Sequence, residues 1–231
     1  MTTPPIVSAQ PTTLVILLGP PGTGKSTYGK RLAQDKGWAY LPVGALVRAY
    51  CTGPKHQQQC VVMEKDYEAG IPQPDEMAIG LLEQALAALP PTSGLIIDAF
   101  PLSLGQAHAL ADFCTRFNLA TPLVLFIQSS EEVVLKRIAS RQVCLHCNIS
   151  YGPNDIAVQT NICPKCGRPL THRADDKPEV VRRRYAEYET RLAPVRAYYV
   201  AQDRLVEIDG EHDLDTVYID VIKALTAHNI A

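Results

Sequence analysis

The chain has 231 residues, 46% of them apolar and 20% charged, with a net charge of −2 at neutral pH. That composition supports one substantial core and excludes an intrinsically disordered chain, and the lack of a basic excess argues against nucleic acid or an anionic membrane as partner. Seven cysteines, an odd number that includes two tight Cys-x2-Cys pairs, read as metal ligation in a reducing compartment rather than as a secreted disulfide framework.

In chain order, residues 1–12 are rich in Pro and Thr and read as a flexible tail. No charged start followed by an apolar stretch marks a secretory signal there. The longest apolar run, "LVILLG", is too short to cross a bilayer; a soluble cytoplasmic protein is the expectation. Leu14–Leu18 is a β-branched apolar run and a first strand, and Trp38–Leu41 is a weaker second. Residues 43–74 form a helical stretch punctuated by Gly and Pro. Asp75 is placed to cap a helix over Glu76–Leu89, and Leu95–Ile97 is a third strand ending at Asp98. Ser103 caps a helix reaching about Phe117. Leu123–Ile127 is a fourth strand, and "SSEE" at 129–132 has the spacing of a capping box. Past the cysteines, a helical pattern near 180–203 contains Pro194, which should kink or divide it, and Leu205–Ile208 is a fifth strand. Short buried strands alternating with helices predict an α/β fold with a doubly wound, five-stranded parallel sheet.

The first strand runs directly into "GPPGTGKST", Gly19, Pro20, Pro21, Gly22, Thr23, Gly24, Lys25, Ser26 and Thr27. This fits Gly-x4-Gly-Lys-Ser, the P-loop pattern. Its glycines let backbone N–H groups wrap an anion at a helix N-terminus, and Lys25 reaches the β- and γ-phosphates. Ser26 is the hydroxyl expected beside Mg²⁺, and Asp98, at a strand end, is a carboxylate expected near the same ion through water.

Cys144 and Cys147 are separated from Cys163 and Cys166 by fifteen residues. Four thiolates at that spacing form a closed tetrahedral zinc site, so the metal is structural and cross-links a segment with little core of its own. A redox reading of the Cys-x-x-Cys pairs is the alternative. Cys51, Cys60 and Cys114 read as small apolar fillers. His146 and His172 flank the cluster as surface histidines.

The order of these motifs resembles the adenylate kinase family of nucleoside monophosphate kinases from Leu14 to Leu225. "VGALVRA" (43–49) is similar to the family's Thr-Gly-Asp-x-x-Arg segment, and "AGIPQPDE" (69–76) to its Gly-x-x-Val/Pro-x-Asp-Glu stretch. "DAFPLSLGQA" (98–107) resembles Asp-Gly-Phe-Pro-Arg-x3-Gln-Ala, "KRIASR" (136–141) its Arg-x3-Arg helix, and "HRADDKPEVVRRRYAEY" (172–188) its Arg-x-Asp-Asp block. The resemblance implies a core P-loop kinase domain over 13–42, 75–143 and 171–231. Residues 43–74 would be an insertion binding the nucleoside monophosphate, and 144–170 a zinc-ribbon lid over ATP. It implies a monomer that moves a phosphoryl group from MgATP to a nucleoside monophosphate, most simply AMP. Lys25, Arg137, Arg173, Arg184 and Asp98 would be catalytic. Arg137 and Arg141 would join the P-loop on ATP, and Arg48 and Gln106 would bind the acceptor nucleotide, Gln106 at its adenine edge. Arg137 and Arg141, spaced i and i+4, share a helix face, and a ring of arginines suits a reaction between two polyanions.

The departures lie on the monophosphate side. The family's acceptor-phosphate arginine is Leu102, its preceding glycine is Ala99, and its threonine and aspartate near the acceptor are Val43 and Ala45. Lys55 is a candidate substitute cation. A kinase of the same fold with another acceptor, and a nucleotide-binding protein with impaired turnover, therefore stand as alternatives. A zinc-ribbon nucleic-acid binder is opposed by the net charge and the P-loop.

Overall fold

The computed structural model describes residues 12–52, 73–147, 149–152, 155–173 and 176–230. The tail over 1–11, most of the 43–74 insertion with Lys55 and Cys60, and Asp175 lie outside the described residues.

Five apolar runs form the sheet: β1 (Thr13–Leu18), β2 (Ala39–Pro42), β3 (Gly94–Asp98), β4 (Leu123–Gln128) and, after a short hairpin described below, β7 (Leu205–Asp209). Their spatial order is β2-β3-β1-β4-β7, every pair parallel. The central strands are apolar on both faces because helices cover both. Alternation along β1 sorts them: Leu14, Ile16 and Leu18 face one layer and Val15 and Leu17 the other. The first layer takes α2 (Val43–Thr52), α3 (Asp75–Ala87), α4 (Leu104–Arg116) and α7 (Pro178–Val200), through Val47, Leu82, Leu110 and Leu192. The second takes α1 (Lys25–Lys36) and α8 (Leu214–Ala227), through Leu32, Val217 and Val221. α5 (Glu131–Ala139) packs on α7 through Val134, Ile138 and Val181.

The cysteines occupy a separate small unit. β5 (Gln142–Cys144) and β6 (Ile149–Tyr151) pair antiparallel, followed by the short α6 (Ile156–Thr160). Its buried cluster is Cys144, Ala157, Cys163 and Leu170, and Val143 of β5 is buried as well.

Three local expectations are corrected. Asp75 is the first residue of α3 and makes no cap; Pro74 precedes the helix, because the Asp75 carboxylate is drawn to other partners. Ser130 is the N-cap of α5 without a side-chain bond, so the capping box is not closed; instead the Ser130 N–H donates to Glu211 at 2.7 Å. Pro194 does not divide α7, which runs unbroken from Pro178 to Val200. The expected cap at Ser103 is present, its Oγ accepting from Gln106 N–H at 3.1 Å.

Candidate active site

Parallel strands present their carboxyl ends on one edge, where loops can converge. β1 ends in the glycine-rich loop and β3 in Asp98, while β4 and β7 end at Gln128 and Asp209, just before Ser129 and Gly210. Two glycines in the loop are required by geometry. Gly19 has φ +133° and a Cβ there would lie 2.1 Å from the Ile127 carbonyl oxygen. Gly24 has φ +92° and a Cβ would lie 2.7 Å from the Tyr28 ring. The first permits β1 to turn tightly beside β4, and the second starts α1 in a left-handed conformation.

Lys25 curls back into this loop. Its Nζ donates to the Gly19 carbonyl at 2.7 Å and the Pro20 carbonyl at 2.6 Å, with Thr23 Oγ1 at 3.4 Å. Burial pushes its pKa down to about 8; Asp98 opposes the shift, and the nearby positive charges of Arg184 and Arg141 add to it. A cation held by neutral carbonyls, with two guanidinium groups in electrostatic range, is suited to binding an anion.

Asp98 is buried, 3% exposed. Its Oδ2 accepts from Ser26 Oγ and from Tyr40 OH, each at 2.6 Å, while its Oδ1 is buried with no partner among the described residues. A buried carboxylate oxygen without a partner is costly to desolvate. Beside the Ser26 hydroxyl it suits a hard, hydrated cation, which prefers oxygen donors. Burial, then the Asp98 charge, push the Tyr40 phenol well above its ordinary range, while Arg48 acts in the opposite sense. Arg48 therefore lies within electrostatic reach of the same cluster.

The predicted arginines take different partners. Arg137 on α5 reaches Ser129 Oγ at 3.4 Å and the carbonyls of Glu211 and His212 at 3.4 and 3.3 Å. Arg141 lies beyond the helix, whose C-cap is Ser140, and forks onto Asp176, with Nε 3.1 Å from Oδ2 and Nη2 on Oδ1. The shared helix face is thus corrected: α5 ends before Arg141, and the two side chains diverge. Arg173 donates to Ser150 Oγ at 2.7 Å, joining the end of the cysteine segment to β6. Arg184 lies on α7.

The acceptor-side residues meet in one network. Gln106, 2% exposed, accepts from the Leu102 N–H at 2.7 Å and donates to Asp75 Oδ1 at 2.7 Å. Ser103 Oγ donates to Asp75 Oδ2. Arg191, absent from the sequence expectation, donates from Nη2 to Asp75 Oδ1 at 3.1 Å and from Nε to the Leu102 carbonyl at 3.3 Å. Its one sequence signal is a position two turns after Arg184 on the same helix. Leu102 itself packs against the first core layer. Tyr40 was likewise missed: nothing in β2 advertises a tyrosine reaching Asp98.

The Sγ atoms of Cys144, Cys147, Cys163 and Cys166 lie within 4.8 Å of one another, with Cys144 and Cys166 at 3.5 Å and Cys147 and Cys163 at 4.0 Å. A tetrahedral ion with Zn–S bonds of about 2.3 Å requires sulfur separations of about 3.8 Å, so this donor set fits zinc. A disulfide would require about 2.05 Å. Tyr151 OH lies 3.2 Å from Cys163 Sγ, and the Cys147 N–H donates to Cys144 Sγ at 3.4 Å. The Tyr151 contact favours thiolate character at Cys163.

Comparison with known proteins agrees with this geometry. A family model described as "Adenylate kinase" matches residues 17–204. An adenylate kinase of Kosmotoga olearia is 34% identical over 213 residues, covering 91% of this chain and 98% of that protein. One from Chlamydia pneumoniae is 33% identical over 212 residues, covering 91% and 96%. One from Archaeoglobus fulgidus is 34% identical over 213 residues, covering 90% and 95%. By the extent of these matches, the chain belongs to the adenylate kinase family.

Proposed function

We propose that the protein transfers the terminal phosphoryl group of MgATP to AMP, giving two ADP. The observation behind this reading is the cluster at the ends of β1 and β3: buried Lys25, with Arg184 and Arg141 in range, next to Ser26 and an Asp98 oxygen that has no protein partner. The loop amides and Lys25 bind the donor phosphates. Ser26 and Asp98 would hold Mg²⁺, which would supply neutralisation of the charge on the donor phosphates. Arg137, Arg141, Arg173 and Arg184 surround the moving group with positive charge. An oxygen of the acceptor phosphate attacks the γ-phosphorus, and the bond to the β,γ-bridging oxygen breaks with its electron pair leaving on ADP. The attacking oxygen is already anionic near neutral pH, since a phosphate monoester has a second pKa of about 6, so no general base is needed. Positioning and charge neutralisation supply the catalysis.

In the same reading Arg48 and Gln106 bind the acceptor, residues 43–74 form its binding insertion, and 144–170, clipped by zinc, form the lid that excludes water. The protein acts as a cytoplasmic monomer without nucleic-acid or membrane partners; no helix among the described residues is long and apolar enough to cross a membrane. Leu102 favours a second reading, a nucleoside monophosphate kinase for a different acceptor, because an apolar side chain cannot grip a phosphate. Coupled measurement of ADP formed from MgATP with AMP, GMP, CMP, UMP and their deoxy forms separates the two. Fastest turnover with AMP supports the first reading; fastest turnover with another monophosphate replaces it with the second.

A further inference from the structure

We infer that Arg191 and Asp75 are a positioning pair that locks the Gln106 carboxamide in one orientation and so sets which base edge the acceptor site admits. The inference deepens the assignment of Gln106 to the acceptor nucleotide and rests on it.

A carboxamide has a near-symmetrical shape and can usually exchange its oxygen and nitrogen by a flip of half a turn. At Gln106 that flip is forbidden from both ends. The Leu102 N–H faces Oε1 at 2.7 Å and can only donate; the Asp75 carboxylate faces Nε2 at 2.7 Å and can only accept while ionised. Flipping would set donor against donor and acceptor against acceptor in a site with 2% exposure, where such mismatches cost most.

The two constraining groups are themselves held by one side chain. Arg191 donates from Nε to the Leu102 carbonyl at 3.3 Å and from Nη2 to Asp75 Oδ1 at 3.1 Å. Ser103 completes the carboxylate from the other oxygen. Arg191 thus ties the start of α3, the turn before α4 and α7 into one unit. Neither Asp75 nor Arg191 has to touch the nucleotide for this.

Locked, the amide keeps one lone pair on Oε1 and one N–H on Nε2 in fixed places. An adenine edge offers an exocyclic donor beside a ring acceptor; hypoxanthine and guanine offer a carbonyl acceptor beside a ring N–H. A fixed amide discriminates between those reversed pairs, whereas a freely flipping amide matches either. A site built to hydrogen-bond one pattern rejects the other strongly, because its buried groups are otherwise left unpaired.

The test compares the parent enzyme with Asp75→Asn, Arg191→Met and Arg191→Lys, using AMP and inosine monophosphate as acceptors. Asn at position 75 can present either oxygen or nitrogen and so releases the flip. In Asp75→Asn and Arg191→Met the ratio of kcat/KM for AMP over inosine monophosphate should fall about tenfold or more, with KM for ATP unchanged. Arg191→Lys keeps the charge but not the fork, and should recover part of the ratio. Equal loss for both acceptors together with a lowered Tm would mean the network is only structural, and an unchanged ratio in both variants would refute the lock. A second measurement needs no turnover. The Gln106 side-chain amide protons, followed by NMR, should exchange slowly in the parent and quickly in Asp75→Asn; fast exchange in the parent overturns the inference. Protected protons in a parent that makes no ADP from AMP would leave the lock standing and count against the proposed reaction instead.

Discussion

On the proposed donor side, one short loop and one strand end supply most of the polar atoms. Lys25, Thr23 and the carbonyls of Gly19 and Pro20 lie within seven consecutive residues, and Asp98 joins them across the adjacent strand. On the acceptor side the atoms come from far apart: Asp75 and Gln106 are 31 residues apart, Leu102 and Arg191 are 89, and Asp75 and Arg191 are 116. A local motif fixes its own geometry through backbone conformation. A dispersed network depends on the packing of three helices, so it can be rebuilt piece by piece while the fold stays the same. The donor half should therefore be brittle to single changes and the acceptor half graded.

The largest effect tests brittleness. Lys25→Met should lower kcat/KM by about 10²–10³-fold, with Tm nearly unchanged, because it removes a buried charge and little packing. Steady-state kinetics with circular dichroism melting checks this, and a parent-like rate would remove the donor half from the candidate site. Next, Cys163→Ser should weaken zinc binding by about 100-fold or more, since even outer-shell changes cost 10–100-fold. Metal content and thermal stability should fall more than ATP affinity, as read by elemental analysis, scanning calorimetry and titration. Equal loss of zinc and ATP binding would show that the donor half extends into the cysteine segment.

A smaller effect sharpens the contrast from the acceptor side. Leu102→Arg should raise kcat/KM for AMP by about tenfold, the value of one charged hydrogen bond. Lower efficiency with AMP would show that the pocket has been rebuilt around Leu102. The smallest effect is a pH dependence. The Lys25 pKa is lowered to about 8 by burial, so the free enzyme loses this cation as pH rises through 8. Then kcat/KM for ATP should fall about threefold between pH 7.5 and 8.5, while kcat changes less because bound phosphate holds the proton on. For folding the sign is opposite: a lysine with a depressed folded pKa disfavours the folded state at neutral pH, and that penalty is relieved between pH 8 and the unfolded value of 10.5.

The same contrast explains what could be read from the sequence. The strands, the helix after Ser103, the loop at 19–27 and the four-cysteine cluster are local patterns whose physics is contained in a few consecutive residues. Asp75 was legible as a helix-cap residue and as the aspartate of "AGIPQPDE", but not as the centre of a network, because its partners Gln106, Ser103 and Arg191 are remote. The capping box failed for the same reason: Glu211, 81 residues away, takes the Ser130 N–H. Arg137 and Arg141 have helical spacing, but the helix stops at Ala139, and one residue of uncertainty in a helix end decides where a side chain points. Arg191 belongs to no motif, and only packing of α7 on the Leu102 turn gives it a role.

The buried cluster that includes Cys144 and Cys163 shares no member with either apolar layer of the sheet. Two packed clusters with separate interiors should behave as two units of cooperativity. With zinc on the four thiolates, local opening of the smaller one should have a free energy set by metal activity, and global unfolding one set by the sheet. Amide hydrogens of β5 and β6 should thus exchange on a schedule that follows free zinc, while those of β1 and β4 ignore it. With zinc on the four thiolates, metal supply would act as a dial on how often this segment is ordered, at constant stability of the rest.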